Sequence, residues 1–198
     1  APPSFGLPSM DSFVDSRRLT GPNRHFAGTG AVLEAITSLA QSAGLIARWR
    51  AQVVLACAAL GWPAPELDAR RHAGSASLAL AAPLDQLFAA TEINEWAWQR
   101  AAQCNDGFHA PGHPAPWDEA SGLRSLQALS VGERNPALMA LAAAAQAHGV
   151  GLYVDDETLS LGDGKASRSW PLAAMPAADD VPWAQLASVR KAVVTGSN

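Results

Sequence analysis

Between Leu45 and Gln103 the spacing of apolar residues changes twice, and that change limits the fold more than any other feature of the chain. Leu45, Trp49, Gln52, Val53, Ala56 and Leu60 recur every three or four residues, as one face of an α-helix does, and Gly61-Trp62-Pro63 stops the pattern. Ser75–Ala81 then alternates small or polar residues with apolar ones, the period of a strand. Pro83 opens a second helical pattern through Gln103, with Leu84, Leu87, Phe88, Ile93, Trp96 and Ala97 on its inner stripe. Helix, strand and helix in one stretch predict an α+β fold.

The flanking segments extend this reading. Ser12–Leu19 is strand-like and runs into the turn signal Thr20-Gly21-Pro22-Asn23. Ala31–Ile36 fits a second strand, although a helix start there fits almost as well. Residues 105–118 are rich in glycine and proline and read as a loop. Helical patterning returns at 119–129 and at 136–148, where Gly149 ends it. Val150–Asp155 and Thr158–Leu161 read as a hairpin, and Ser167–Pro171 as a further strand. The expected architecture is a small mixed sheet packed with about four helices, a β-α-β-α core followed by helices and a β-hairpin. Its divisions are an extended lead-in (1–11), an α+β module (12–170), a linker (171–187), and a strand with the start of a phosphate loop (188–198).

Composition closes off several function classes. With 48% hydrophobic residues in 198, the chain has the apolar content to build a core, which excludes intrinsic disorder. A formal net charge of −4 argues against a generally basic nucleic-acid binder. Cys57 and Cys104 are too few for a disulfide framework or a thiolate zinc site, and read as apolar filler suited to a reducing cytoplasm. Ala1–Met10 has no basic start and no continuous apolar core, so it does not read as a signal peptide. Val53–Leu60 and Ala137–Ala147 fall short of the ~20 residues that a membrane span requires.

Two segments carry candidate chemistry. Lys191-Ala192-Val193-Val194 leads into Thr195-Gly196-Ser197-Asn198, a strand feeding a glycine-containing turn whose backbone N–H groups could cradle phosphate. The Gly-Lys-Ser/Thr that supplies the cation and the magnesium ligand is not in it, so the chain alone is not expected to bind Mg-ATP tightly. Near the other end, Arg17-Arg18-Leu19-Thr20-Gly21-Pro22-Asn23-Arg24-His25 gathers three arginines at a turn, a plausible anchor for a carboxylate or phosphate. The bland alternative is a surface turn with solvated arginines.

Other clusters read more plainly. His109 and His113 lie in a loop with no helical face to join them. Asp155-Asp156-Glu157 reads as a solvated hairpin tip. Glu92 and Glu95 share one side of a helix near Trp96 and form either an acidic substrate patch or the rim of an amphipathic helix. Ser16, Ser121 and Ser130 lack the glycines of a nucleophile elbow. No metal site is expected.

Val194-Thr195-Gly196-Ser197-Asn198 resembles the front half of the Mur ligase phosphate loop, Thr-Gly-Thr/Ser-Asn-Gly-Lys-Thr. Arg17-Arg18-Leu19-Thr20-Gly21-Pro22-Asn23 is similar to the Arg-Gly-Pro-Asn segment near the start of cyanophycin synthetases, ATP-dependent ligases with a Mur-type domain. The helix–strand–helix order over 45–103 is similar too. Two departures stand out. No more than about twenty-five residues separate Trp170 from the phosphate loop, which leaves no room for an ATP-grasp domain. The His-x-x-Glu-His of some members falls at Ala47, Arg50 and Ala51, none of which ligates a metal.

The resemblance implies a non-catalytic recognition or scaffolding module of an ATP-dependent amide ligase, cut at the threshold of its ATPase domain. ATP and Mg²⁺ would serve the intact parent, and this stretch would need no cofactor. Thr195, Gly196, Ser197 and Asn198 would then belong to a partial ATP site. Arg17, Arg18, Gly21, Asn23 and Arg24 would bind an amino acid or peptide-like carboxylate. Neither nucleic acid nor membrane is an expected partner, self-association is left open, and the expected location is the cytoplasm. The alternative is a free-standing small-molecule or protein binding module. Codons for Gly-Lys-Thr or Gly-Lys-Ser after Asn198 would favour the ligase.

Overall fold

The computed structural model describes residues 13–103 and 118–186, and the fold is α+β. The chain divides into two compact units between Arg134 and Asn135. The first contains β1 (Phe13–Leu19), β2 (Gly30–Ile36), α1 (Leu39–Ala59), β3 (Leu67–His72), β4 (Ser75–Ala81), α2 (Leu87–Gln103) and α3 (Glu119–Glu133). Its four strands lie in the order β1-β2-β4-β3, each antiparallel to its neighbours. Where a mixed sheet is expected, the pairing among the described residues is antiparallel throughout. β2 and β3 do run in the same direction, but β4 lies between them. The two-residue connection Ala73-Gly74 sends the chain straight back from His72 to Ser75, and β4 fills the gap that α1 had bridged.

Strand alternation gives the sheet two different faces. Ala31, Leu33, Ala35, Ala76, Leu78 and Leu80 point at the helices and share a core with Leu45, Trp49, Val53, Ile93, Ala97 and Trp98. α1 begins six residues before its first clear periodic residue, because Ser38 caps it by accepting from the Gln41 amide. The pattern after Pro83 starts as a 3-10 turn, Leu84–Gln86, and becomes α-helical at Leu87. α3 crosses α2 closely at Gly122, where an added Cβ would stand 2.3 Å from the Trp96 indole nitrogen.

At its far end α3 supplies a cap to α2. The Glu133 carboxylate accepts from the Phe88 and Ala89 amides at 2.7 Å each, satisfying first-turn N–H groups and opposing the positive end of the helix dipole. Glu133→Ala is therefore expected to cost about 1–2 kcal/mol in thermal or urea unfolding. Glu133→Gln should recover part of that loss. Equal loss in both variants would assign the contribution to charge rather than to hydrogen bonding.

The second unit contains α4 (Pro136–Ala147) and the antiparallel sheet β5 (Leu152–Val154), β6 (Thr158–Leu161) and β7 (Arg168–Pro171). Asn135 caps α4 and Pro136 opens it. The acidic hairpin tip is a turn: Asp155 Oδ1 accepts from the Glu157 and Thr158 amides, and these bonds hold its carboxyl below the ordinary aspartate value. Residues 171–186, read as linker from composition, form three short 3-10 turns with Val181 and Leu186 buried. Trp183 stacks on His148 with ring centroids 4.8 Å apart. The expected strand 188–195 and the lead-in 1–11 lie outside the described residues.

Candidate functional site

The sheet face turned away from the helices carries a charged network. Register places Asp15, Glu34, Ser77 and Arg70 in one row across β1, β2, β4 and β3. The next row holds Arg17, Val32, Ala79 and Asp68. Residues 20–29 connect β1 to β2 and fold over this face, with Phe26 packed on Val32 and Ala79. This apolar contact anchors the loop in the middle of an otherwise polar surface.

Asn23 organises the loop. Its Oδ1 accepts from the His25 and Phe26 amides at 2.8 and 3.0 Å. Its Nδ2 donates to the Gly21 and Gly28 carbonyls at 2.9 and 3.1 Å. The side-chain amide is thus used inside the turn, as an Asn in a tight connection commonly is. Arg24 follows and reaches back to the sheet. Its Nη2 donates to Ser77 Oγ at 3.1 Å and stands 3.6 Å from Glu34 Oε1. Arg17 approaches the same carboxylate at 3.4 Å and also pairs with Asp15. Ser77 Oγ donates to Glu34 Oε2 at 2.7 Å and contacts His72 Nε2 at 3.1 Å.

His25 closes the network on the other side. Only 2% of its side chain is exposed, and its Nδ1 lies 2.8 Å from Asp68 Oδ2. Arg24 Nε–H donates to its Nε2 at 3.2 Å, which assigns the ring proton to Nδ1 and makes Asp68 the acceptor. Arg70 donates to Asp68 at 2.7 Å and to the Arg24 carbonyl. Burial alone raises the Asp68 pKa, but the hydrogen bonds from His25 and Arg70 and the Arg70 charge prevail and hold it below the ordinary aspartate value.

The sign of the resulting pH effect follows from linkage. A carboxyl depressed in the folded state contributes stability above its unfolded pKa and loses it as pH falls through the folded one. Acidification below about pH 3.9 is therefore expected to loosen the 20–29 loop, read as faster amide exchange at His25 and Phe26. Asp68→Asn should remove that acid limb. A limb of undiminished size in the variant would show that another group carries it.

Arg17 and Arg24 come together around Glu34. Arg18 alternates to the opposite side of β1, at the edge of the sheet, and does not join them. Gly21 stands in open space within the loop. Thr195, Gly196, Ser197 and Asn198 lie outside the described residues, as do His109, His113 and Cys104. Glu34, Asp68, Arg70, His72 and Ser77 belong to the network without having been singled out by sequence. The signal for three of them was the Ala73-Gly74 turn, which makes 67–72 the partner strand of 75–81.

The remaining candidates have structural settings. Glu92 and Glu95 are half-buried beside the buried Trp96. Ser121 belongs to the Asp118 cap of α3, and Ser130 donates to Gln86. Cys57 is buried, which pushes its thiol up to about 12. Among the described residues no cluster of three His, Cys, Asp or Glu could hold a metal ion, and no helix is long and apolar enough to cross a membrane.

What this face offers is binding chemistry. Arg17, Arg24 and Arg70 are each held by acidic partners, yet about half of each side chain stays exposed. Ser77 is fully buried and commits its proton to Glu34, so it is no accessible nucleophile. No protein-family model and no curated protein matches the chain.

Proposed function

We propose that the chain is a non-catalytic recognition and scaffolding module of an ATP-dependent amide ligase resembling the Mur ligase and cyanophycin synthetase family. The module binds a carboxylate of an amino acid or peptide-like substrate on the guanidinium-bearing face of its four-stranded sheet, in the cytoplasm. ATP and Mg²⁺ serve the intact parent protein. The observation that supports this reading most is the meeting of Arg17 and Arg24 at Glu34. Glu34 is a carboxylate already held by two guanidiniums on a half-exposed face, which is the geometry a ligand carboxylate requires.

The test is calorimetric titration of the chain with N-acetyl-glutamate, a carboxylate probe whose amine is blocked. Millimolar binding, about −4 kcal/mol, is expected at low salt. It should weaken with ionic strength and at least tenfold in Arg24→Gln, without loss of thermal stability. Binding that is absent in the natural chain, or unchanged in Arg24→Gln, would remove the carboxylate-recognition reading.

A further inference from the structure

The first unit repeats itself. Asp15-Ser16-Arg17-Arg18 on β1 recurs 53 positions later as Asp68-Ala69-Arg70-Arg71 on β3, each stretch preceded by an apolar residue, Val14 or Leu67. In both, the aspartate pairs with the arginine two residues on. Past the hairpin connections the spacing becomes 45. Gly30–Ile36, the bounds of β2, then falls on Ser75–Ala81, the bounds of β4. Leu39 opens α1, and its counterpart Leu84 opens the turn that leads into α2. Residues 13–103 thus hold two consecutive ββα stretches built on one plan.

Packing bears on this independently. If a two-fold axis relates the halves, a residue on the axis meets its own counterpart. Leu33 is paired with Leu78 across β2 and β4, and the two stand 45 apart. Trp49 Nε1 donates to Asn94 Oδ1 between α1 and α2, and these also stand 45 apart. Away from the axis, equivalent bonds should occur twice. The Thr37 amide donates to the Gly74 carbonyl at 3.4 Å, and its counterpart, the Ala82 amide, donates to the Thr29 carbonyl at 3.0 Å. Each acceptor is the last residue before a strand, Ser75–Ala81 or Gly30–Ile36. The antiparallel order β1-β2-β4-β3 is what an axis through the central pair produces.

The largest difference between the halves is the hairpin connection. Leu19 and Gly30 close the first hairpin, as His72 and Ser75 close the second. Residues 20–29 join the first pair, whereas Ala73 and Gly74 alone join the second. Most of the longer connection is therefore not needed to turn the chain. It crosses to the other half instead: His25 donates to Asp68 on β3, Arg24 donates to Ser77 on β4, and Arg70 donates back to the Arg24 carbonyl. Arg17 and Arg70 belong to the repeated plan, but Arg24 does not. The meeting of two guanidiniums at Glu34 is made by this loop, and the second half has no copy of it, because the counterpart of Glu34 is Ala79.

We infer that the first unit is a duplicated ββα scaffold carrying one inserted recognition loop. Residues 20–29 determine which ligand the sheet face accepts, and the repeated scaffold holds the sheet without them. For the identity of the ligand, a carboxylate, the inference rests on the reading given under Proposed function. Arg24 is then the specificity-determining side chain, since it is the guanidinium at Glu34 that the scaffold does not supply.

The experiment replaces residues 20–29 of the full chain by Ala-Gly, the connection that the second hairpin uses. The shortened chain should unfold in one cooperative transition within about 10 °C of the natural chain. It should bind N-acetyl-glutamate at least about tenfold more weakly. If Ala-Gly does not give a folded chain, Asn-Gly, the stronger two-residue turn, takes its place with the same expectation. Amide exchange in the natural chain supplies a second measurement. The His25 and Phe26 amides, bonded within the loop to Asn23, should exchange about 100-fold faster than those of Leu33 and Leu78, through a local opening that leaves the sheet closed. Failure of both shortened chains to fold, or loop amides that exchange no faster than the sheet, would make the loop structural and overturn the inference. So would a shortened chain that binds the probe as the natural one does, although the carboxylate reading would then stand. A natural chain that binds no probe would instead remove that reading and the ligand assigned to the loop, while folding and exchange still decide whether the loop is an insert.

Discussion

Asn94→Ala is expected to lower the midpoint of thermal unfolding by roughly 10 °C. The side chain is fully buried at the junction of three elements. Its Oδ1 accepts from Trp49 Nε1 on α1 at 2.8 Å, and its Nδ2 donates to the Leu78 carbonyl on β4 at 2.9 Å. Truncation leaves the indole N–H without its acceptor in an apolar interior, removes the donor to the Leu78 carbonyl and opens a cavity, at about 1–3 kcal/mol for the unpaired N–H alone. A total of ~3–4 kcal/mol at ~2–4 °C per kcal/mol for a chain of this size gives the quoted shift. Asn94→Asp separates hydrogen bonding from volume: it keeps an acceptor for Trp49, but in its ionised form it buries a charge and has no donor for the Leu78 carbonyl, and it can donate there only by taking up a proton. It should be as damaging as alanine or worse. A shift under about 3 °C for Asn94→Ala would mean that water replaces the amide there, and the three-way bridge would lose its assigned role.

Gly30→Ala should be as costly, for a steric reason. A Cβ at this position would lie 2.2 Å from the Leu80 carbonyl oxygen and 3.1 Å from the Ala81 Cα, both backbone atoms of the paired strand. Backbone held in a ladder cannot swing aside like the end of a side chain, so β2 must separate from β4 or slip in register. An expected loss of about 3 kcal/mol or more, with reduced soluble yield, contrasts with Gly28→Ala and Gly21→Ala. Those two positions meet nothing within 4 Å and should change stability by less than about 0.5 kcal/mol. Equal tolerance at all three would show that the β2–β4 pairing is not as close as described.

The sequence disclosed elements wherever one residue type repeated at one period. α2, α4 and β4 follow from their apolar spacing, and the turn at 20–23 from Gly21-Pro22-Asn23. β3 was hidden because it is an edge strand: Leu67-Asp68-Ala69-Arg70-Arg71-His72 is charged, as exposed edges commonly are, and so resembles a loop in composition. The first turn of α1 was hidden behind Gly44, a residue that argues against a helix interior unless the Ser38 cap is given its due.

The candidate site was half legible for the same reason. Arg17 and Arg24 stand in one short polar stretch of the sequence, on either side of the turn at Gly21-Pro22-Asn23. Their partners Glu34, Asp68, Arg70 and Ser77 arrive through strand register, which no local pattern specifies. Arg18 shows the complementary limit. It is adjacent to Arg17 in the chain, yet the two-residue period of a strand sends it to the other face.

The strand order β1-β2-β4-β3 also dictates how the chain must assemble. β1 with β2, and β3 with β4, are neighbours in sequence, and each pair can zip up locally on the microsecond scale of a hairpin. β2 and β4 are joined only after residues 37–74, including all of α1, have been gathered in. Closing that long loop is the step with the largest entropic cost before any contact rewards it. The seam between the two hairpins is therefore where this topology is expected to place the folding barrier. Weakening Leu33 or Leu78 at that seam slows the approach to the native state. Weakening the outer strands chiefly hastens departure from it.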